Sequence, residues 1–267
     1  MSDAQSVPET ELLFQRDSYL RSVETRVVAV DAEARQVALE RTVFYPGGGG
    51  QPADSGELIR VRDGQRWDVV AARKQGGTVW HELGGDEPLP AAGDEVRGEI
   101  AWETRFRLMR MHTALHALCG VVFRDYGALV TGGNMGPDRA RMDFEMDSAE
   151  FTPARVAEIE RSANDALAAA RDVVVKILPR EEAFAIPDLI RTKINLLPEG
   201  ISDVRTVEIV GLDLQADGGT HVRNTREVGG LRVVGTRSKG KANKRLEIEL
   251  TDPRETAAPG ENGSDGS

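Results

Sequence analysis

Near Ala101 the hydrophobic pattern of this chain changes, and that change constrains the fold more than any other feature. From residue 102 to 125, Phe106, Leu108, Met109, Leu115, Leu118 and Val122 recur at helical spacing. The stretch ahead, residues 12 to 100, reads as strands and turns. Residues 23–30, 36–40 and 67–71 have strand character, and Asp63-Gly64 and Gly84-Gly85-Asp86 mark turns between such segments. Short strands at this spacing predict a small barrel. Beyond the helix, Thr152 is placed to cap a second one, with Pro153 just inside it, running to about residue 171. Strands are expected at residues 173–178, 204–210, 231–234 and 246–250. The expected fold is therefore α+β. A small N-terminal β-barrel occupies residues 1–97, regular from about residue 10, and a two-layer α+β domain occupies 98–251. Residues 252–267, rich in Pro, Gly, Ser and acids, are expected to form a disordered acidic tail.

Charge and composition exclude several classes. The 267 residues carry a formal net charge of −10, which argues against nonspecific polyanion binding but allows a basic patch on an acidic body. No stretch approaches the roughly 18 apolar residues of a membrane span. Residues 1–11 are polar and acidic, without the basic start or apolar run of a secretory signal. Cys119 is the single cysteine, so no intrachain disulfide can form. A soluble, cytoplasmic chain is expected.

Three of the four histidines fall in two motifs. His112-Thr113-Ala114-Leu115-His116 puts two imidazoles on one helix face, a turn apart, where both can reach one ion at about 2.0–2.1 Å. Such a pair, alone, also occurs as two buried histidines bonded to neighbours. Asp217-Gly218-Gly219-Thr220-His221 adds an oxygen and a nitrogen beside a glycine turn, which alone is equally an ordinary turn. The combination points to a metal. His81, behind Trp80 at a strand end, reads as structural. Cys119 lies one turn past His116, but three same-face positions span about 10 Å of helix axis, too long for one ion, so it reads as a core residue. Phe44 to Gly56 contains four successive glycines without the Gly-Lys-Ser/Thr ending of a phosphate loop. Phe44-Tyr45-Pro46 and Gln51-Pro52 stiffen its ends, which suits a backbone surface that touches a ligand better than a flexible linker.

These motifs carry a resemblance. Residues 41–46 running into Gly49-Gly50-Gln51-Pro52-Ala53-Asp54-Ser55-Gly56 resemble the glycine-rich motif of alanyl-tRNA synthetase editing domains. His112 to His116 resembles the first zinc motif of that family. Gly218-Gly219-Thr220-His221-Val222, continuing through Asn224-Thr225 and Glu227-Val228-Gly229, resembles the second. Arg141-Met142-Asp143-Phe144 and residues 239–245 also follow its pattern. The similarity spans about residues 10 to 250, with no room ahead of it for an aminoacylation domain, so the chain is similar to the free-standing AlaX-type trans-editing proteins that carry the glycine-rich domain. One departure stands out: the family usually has cysteine where this chain has Asp217, and aspartate is a harder ligand than thiolate.

The resemblance implies a hydrolase that deacylates mischarged tRNA(Ala), chiefly seryl-tRNA(Ala) and also glycyl-tRNA(Ala), with no membrane and no required protein partner. It implies one Zn2+ per chain on His112, His116, His221 and Asp217, or on the three histidines with water in place of Asp217. The ion would hold the amino acid or the 3′-adenosine, or activate water. Gln51 and Thr42 would project into the pocket as catalytic residues, positioning water or bonding the serine hydroxyl. Arg105, Arg107, Arg110, Lys239, Lys241, Lys244 and Arg245 are the expected tRNA contacts, the alternative for the lysine-rich cluster being a solvated turn. Two rival readings are a deacylase of another mischarged tRNA and a non-catalytic tRNA or aminoacyl-binding module with a degraded site.

Overall fold

The structure, a computed structural model, describes residues 7–147, 151–194, 197, 200–238, 240 and 242–251. It begins with β1 (Glu11–Leu12) and a 3-10 turn at Leu13–Gln15. Next come β2 (Ser22–Asp31), β3 (Gln36–Leu39), β4 (Arg41–Thr42), β5 (Gly56–Arg60), β6 (Arg66–Gln75), β7 (Thr78–Leu83) and β8 (Glu95–Ile100). Six of these strands close a barrel in the order β2-β3-β7-β6-β5-β8, while β1 and β4 pair in parallel outside that ring. Alternation along the strands explains the closure. In β6, Trp67 and Val69 are buried while Arg66, Asp68 and Val70 face out. The register then slips between Val69 and Ala71, and Ala72 takes the next inward place. With Val27, Leu39, Phe44, Leu58 and Val96 these side chains fill the barrel.

His81 is part of that filling, in keeping with its structural reading, and is fully buried. Its Nδ1 lies 3.2 Å from the Val37 carbonyl, which can only accept, so Nδ1 carries the proton. Nε2 then accepts from the Thr42 hydroxyl at 2.8 Å, and that hydroxyl in turn accepts from the Phe44 amide at 3.1 Å. Thr42 is thus spent inside the barrel rather than projecting into a catalytic pocket. The expectation of a catalytic Thr42 is corrected because β4 turns Arg41 outward and Thr42 inward.

Burial pushes the His81 pKa down to about 4, with the Val37 carbonyl opposing. The folded value lies below the unfolded one, near 6.5, so the unfolded chain binds the proton more tightly between these limits. Stability is full above about pH 6.5 and falls as pH drops towards 4, by up to about 3 kcal/mol from this residue. Urea unfolding at pH 7.5 and 4.5 should show a smaller acid loss in His81→Gln than in the parent. Equal losses would mean that His81 does not titrate as its burial demands.

The helical half follows without a linker: α1 (Trp102–Tyr126), β9 (Val130–Met135), β10 (Arg139–Glu145), α2 (Pro153–Ala168), β11 (Val173–Pro179), α3 (Arg180–Phe184), β12 (Asp203–Ile209), β13 (Asp213–Ala216), a 3-10 turn at Thr225–Val228, β14 (Gly230–Ser238) and β15 (Asn243–Thr251). One antiparallel sheet runs β14-β15-β10-β9 and a second runs β11-β12-β13. The fold is α+β, a barrel joined to a helix-and-sheet half. α2 starts where expected: the Thr152 hydroxyl accepts from the Arg155 amide at 3.2 Å, with Pro153 in the first turn. It stops at Ala168, short of residue 171. No helix among the described residues is long and apolar enough to cross a membrane. The expected tail at 252–267 lies outside the described residues.

α1 is the pivot of the molecule. Every residue from Met111 to Val122 is buried, so the helix is enclosed on all sides. Leu108, Leu115, Leu118 and Val122 join one core with Ile159 of α2 and Phe144, Leu246 and Ile248 of the sheet. Gly127, with φ 64°, ends the helix in the left-handed conformation that glycine adopts without strain. Cys119 is buried in this core, as expected, and burial pushes its thiol pKa up.

Candidate metal centre

The two histidine motifs meet. α1 presents His112 and His116, and the loop after β13 returns His221 and Asp217 against them. One ligand atom from each of the four lies within 4.8 Å of the others. His221 Nε2 is 3.0 Å from Asp217 Oδ2, and His112 Nε2 is 3.6 Å from Asp217 Oδ1. Bonds of 2.0–2.2 Å in a tetrahedral zinc site put ligand atoms about 3.3–3.6 Å apart, so around an ion the widest-spaced atoms would close by about 1 Å and the 3.0 Å pair would part slightly.

The proton positions of the rings follow from their outer neighbours. The Thr220 backbone N–H can only donate, and it donates to Gln51 Oε1 at 3.0 Å. That fixes the orientation of the Gln51 carboxamide, whose Nε2 donates to Thr220 Oγ1 at 2.8 Å. Oε1 also meets His112 Nδ1 at 3.0 Å, so this nitrogen must be the protonated one. The Thr113 hydroxyl gives its single proton to the Met109 carbonyl at 2.9 Å. It therefore accepts from His221 Nδ1 at 3.1 Å. His116 Nδ1 donates to the Asp213 carboxylate at 3.0 Å. All three rings commit Nδ1–H to outer partners and turn Nε2 lone pairs inward, towards one another and towards a carboxylate. Burial holds the His112 pKa well below the usual value and takes that of His221 down to about 4, so neither ring adds a second proton at neutral pH. His116 is raised: burial pulls it down, but the bond to Asp213 and the charge of that carboxylate outweigh this. The inward lone pairs of the two neutral rings, His112 and His221, face the Asp217 carboxylate and repel it unless a cation lies between them. That donor set fits a divalent metal, with N and O ligands suited to zinc.

The cluster forms part of the wall of a cavity of about 650 Å3. His112, His116 and Asp217 face it, together with Gly49, Gly50, residues 130–135 of β9 and residues 189–194. Gln51 and His221 stand behind this wall. Gln51 is within 3.0 Å of His112, so the barrel loop and the helix share one cleft as expected, but both ends of its carboxamide hold protein groups rather than substrate. The loop reaches this place because Gly47, Gly48, Gly49 and Gly50 all take positive φ, between 56° and 130°, a run that side chains would make prohibitively strained. It docks on β9 through the Met135 amide, which donates to the Gly50 carbonyl at 3.0 Å.

Gly219 is needed for a different reason, close approach. A Cβ there would stand 2.8 Å from Gln51 Oε1 and nearer still to the His112 ring. Gly219→Ala should swing that ring out of the cluster and leave purified protein with substoichiometric metal by elemental analysis. A full complement of metal in that variant would show that the ring has room that the structure does not give it.

The expected tRNA contacts are placed very differently from one another. Arg107 is exposed on α1 and pairs with Asp138. Arg110 is half-buried and donates twice to the Val228 carbonyl, bracing the 3-10 turn of the second motif. Arg105 is corrected: its side chain is entirely buried and is bound to Asp54, the Val43 carbonyl and the Ser18 carbonyl. It lies seven residues before His112, hence on the same inward face of the helix. Lys244 and Arg245 are corrected likewise. The buried Lys244 ammonium donates to Ser238 Oγ and the Gly240 carbonyl, bracing the turn between β14 and β15, and the buried Arg245 forks onto Asp143 at 2.6 and 2.8 Å. Lys239 and Lys241 lie outside the described residues. Sequence reading missed Thr113 and Asp213. Thr113 stands between the two motif histidines, where a hydroxyl on a buried turn is a signal. Asp213 carries no local signal.

Comparison with known proteins identifies the family. The family described as "Threonyl and Alanyl tRNA synthetase second additional domain" matches residues 204–247, and that described as "tRNA synthetases class II (A)" matches residues 15–104. An alanyl-tRNA editing protein AlaX-M of Methanosarcina barkeri is 39% identical over 245 residues, 91% of this chain and 100% of the relative. The AlaX-M protein of Saccharolobus solfataricus is 37% identical, over 89% of this chain and 97% of its own. The alanine–tRNA ligase of Pyrobaculum calidifontis is 36% identical over 87% of this chain, which covers 26% of that enzyme.

Proposed function

Because the chain belongs to the AlaX-M family of alanyl-tRNA editing proteins, we propose that it hydrolyses the aminoacyl ester of mischarged tRNA(Ala) in trans, chiefly the seryl and also the glycyl ester. The reaction adds water across the ester bond between the amino-acid carbonyl and the terminal ribose, releasing the free amino acid and uncharged tRNA. The observation that carries this reading is the inward convergence of three Nδ1-protonated imidazoles and Asp217 on the wall of a chamber large enough for a nucleoside-sized group.

His112, His116, His221 and Asp217 would hold one Zn2+, which supplies Lewis acidity and a fixed positive charge to the end of the substrate. The chain's own residues do the rest. Gln51 and Thr113 set the protonation and direction of His112 and His221. Arg205, with Nη1 on the Asp217 carbonyl at 2.8 Å and 3.6 Å from its carboxylate, steadies that ligand. The glycine loop and the glycines of β9 let backbone line the chamber closely. Gln51 is a positioning residue that acts through His112. Arg107 is the exposed contact for tRNA phosphate, with the cytoplasm as the working compartment.

Deacylation of purified seryl-, glycyl- and alanyl-tRNA(Ala) and of seryl-tRNA(Thr), with metal analysis of the same protein, tests the reading. Seryl- and glycyl-tRNA(Ala) should be consumed while alanyl-tRNA(Ala) is spared. In the same assay Asp217→Ala should lose metal and rate together, whereas Asp217→Cys should keep both, since thiolate holds zinc at least as tightly. Stoichiometric metal with no hydrolysis of any ester would favour a binding module instead.

A further inference from the structure

We propose that Asp213 is a positioning residue of the metal centre: its carboxylate, clamped by Gln215 and Arg191, fixes the His116 ring so that Nε2 is presented to the ion. The inference rests on the metal reading above and assigns a role to a residue outside both histidine motifs.

Asp213 opens β13, and its carboxylate is wholly inaccessible to solvent. Oδ2 accepts from His116 Nδ1 at 3.0 Å and from Gln215 Nε2 at 2.7 Å. Oδ1 makes no hydrogen bond, and the nearest cation is Arg191, with Nε at 3.5 Å. The central carbon of that guanidinium stands over the Phe123 ring, 3.7 Å from its centre, so it is a fixed charge rather than a mobile one. A buried carboxylate is costly unless it is paired, and here two groups hold it while its one remaining bond goes to a ligand imidazole. The outer partners of His112 and His221 are a neutral amide oxygen and a neutral hydroxyl. Asp213 is the charged one of the three. A charge-assisted bond at Nδ1 is stronger than a neutral one and makes Nε2 a better donor to a metal.

The packing accommodates this contact. Gly120 lies four residues after His116, on the same helix face. A Cβ on Gly120 would come within 2.9 Å of Asp213 Cβ and 3.0 Å of the Leu212 carbonyl. The missing side chain lets the start of β13 press against α1 closely enough for the carboxylate to reach the ring.

Competition between the chelator-stripped protein and a chromogenic zinc chelator measures the effect directly. Asp213→Asn keeps the shape and an acceptor oxygen but removes the charge. Its zinc dissociation constant should rise roughly 10- to 100-fold, and the absorption spectrum of its cobalt form should change. A merely structural aspartate would alter thermal stability and leave both readouts alone. Zinc binding as tight as in the parent, with the same cobalt spectrum, overturns the proposal while leaving the metal reading intact. Failure of the parent itself to bind zinc overturns both. If Asp213→Asn does not fold, long-range 1H–15N spectra of the zinc-loaded parent decide the matter. They should show His116 bound through Nε2 with its Nδ1 proton retained, and binding through Nδ1 would refute the assignment.

Discussion

His221→Ala is expected to give a folded protein that holds no stoichiometric zinc and barely hydrolyses seryl-tRNA(Ala). The fold should survive because the outer partner of His221 loses little. The Thr113 hydroxyl keeps its bond to the Met109 carbonyl at 2.9 Å and still accepts from the Val222 amide at 3.3 Å. The metal should not survive. Loss of an outer partner typically costs 10- to 100-fold in metal affinity or activity, and loss of a direct ligand costs more. A divalent ion at an ester supplies several kcal/mol of charge stabilisation, so the rate should fall roughly a thousand-fold or more. Gln51→Ala is the internal comparison: removing the oxygen that holds His112 Nδ1 should fall in the 10- to 100-fold range, in zinc affinity as well as rate. Elemental analysis and single-turnover deacylation of both variants read this out. A His221→Ala protein that deacylates like its parent would refute the site assignment.

The second large effect is on stability. Arg105→Met should lower the stability of the protein by about 3–5 kcal/mol, because it leaves Asp54 ionised and buried without its cation. For a chain of this size that corresponds to roughly 6–20 °C in melting temperature. Arg105 Nε lies 2.9 and 3.0 Å from the two Asp54 oxygens, and the same guanidinium serves the carbonyls of Val43 and Ser18. It thus ties α1 to the glycine loop, to the strand edge before it and to the N-terminal segment. Asp54→Leu in the same protein should recover much of the loss, since no charge is then stranded. Calorimetry on the two single variants and the double variant checks the coupling. A solvent-facing arginine on tRNA would instead flatten the salt dependence of tRNA binding with no change in melting.

Long periodic elements were legible from sequence, and glycine-interrupted ones were not. The switch near Ala101 located α1 to within a residue at each end, and the β-rich runs located β2, β3, β6, β11, β12, β14 and β15. β9 escaped notice because its sequence, Val130-Thr131-Gly132-Gly133-Asn134-Met135, lacks strand propensity and is held by pairing with β10 and docking of the loop at Gly50. β7 breaks alternation, with Val79 and Trp80 adjacent and His81 and Glu82 adjacent, β8 has only Val96 and Ile100 as large apolar residues, and β13 is four residues long. At the site, the two histidine motifs announced themselves because helix geometry alone pairs His112 with His116. Whether Arg105 or Arg245 faced water was hidden, because each buried charge is explained by a partner distant in sequence. Arg105 and Asp54 are 51 residues apart, and Arg245 and Asp143 are 102 apart. The same distance hid Asp213, whose meaning depends entirely on a ring 97 residues earlier.

Those separations have a consequence for biosynthesis. Gln51 and Thr220 are 169 residues apart, and Thr113 and His221 are 108 apart. At about 5–20 residues per second, the helix bearing His112 and His116 leaves the ribosome roughly 5–20 s before His221 does. During that interval the nascent chain carries only two of the four residues of the cluster. The cluster closes only when the last glycine turn arrives and Gln51, Thr113 and Asp213 meet the three rings. The cluster is therefore complete only at a late step of synthesis, when the number of its donor residues on the chain rises from two to four.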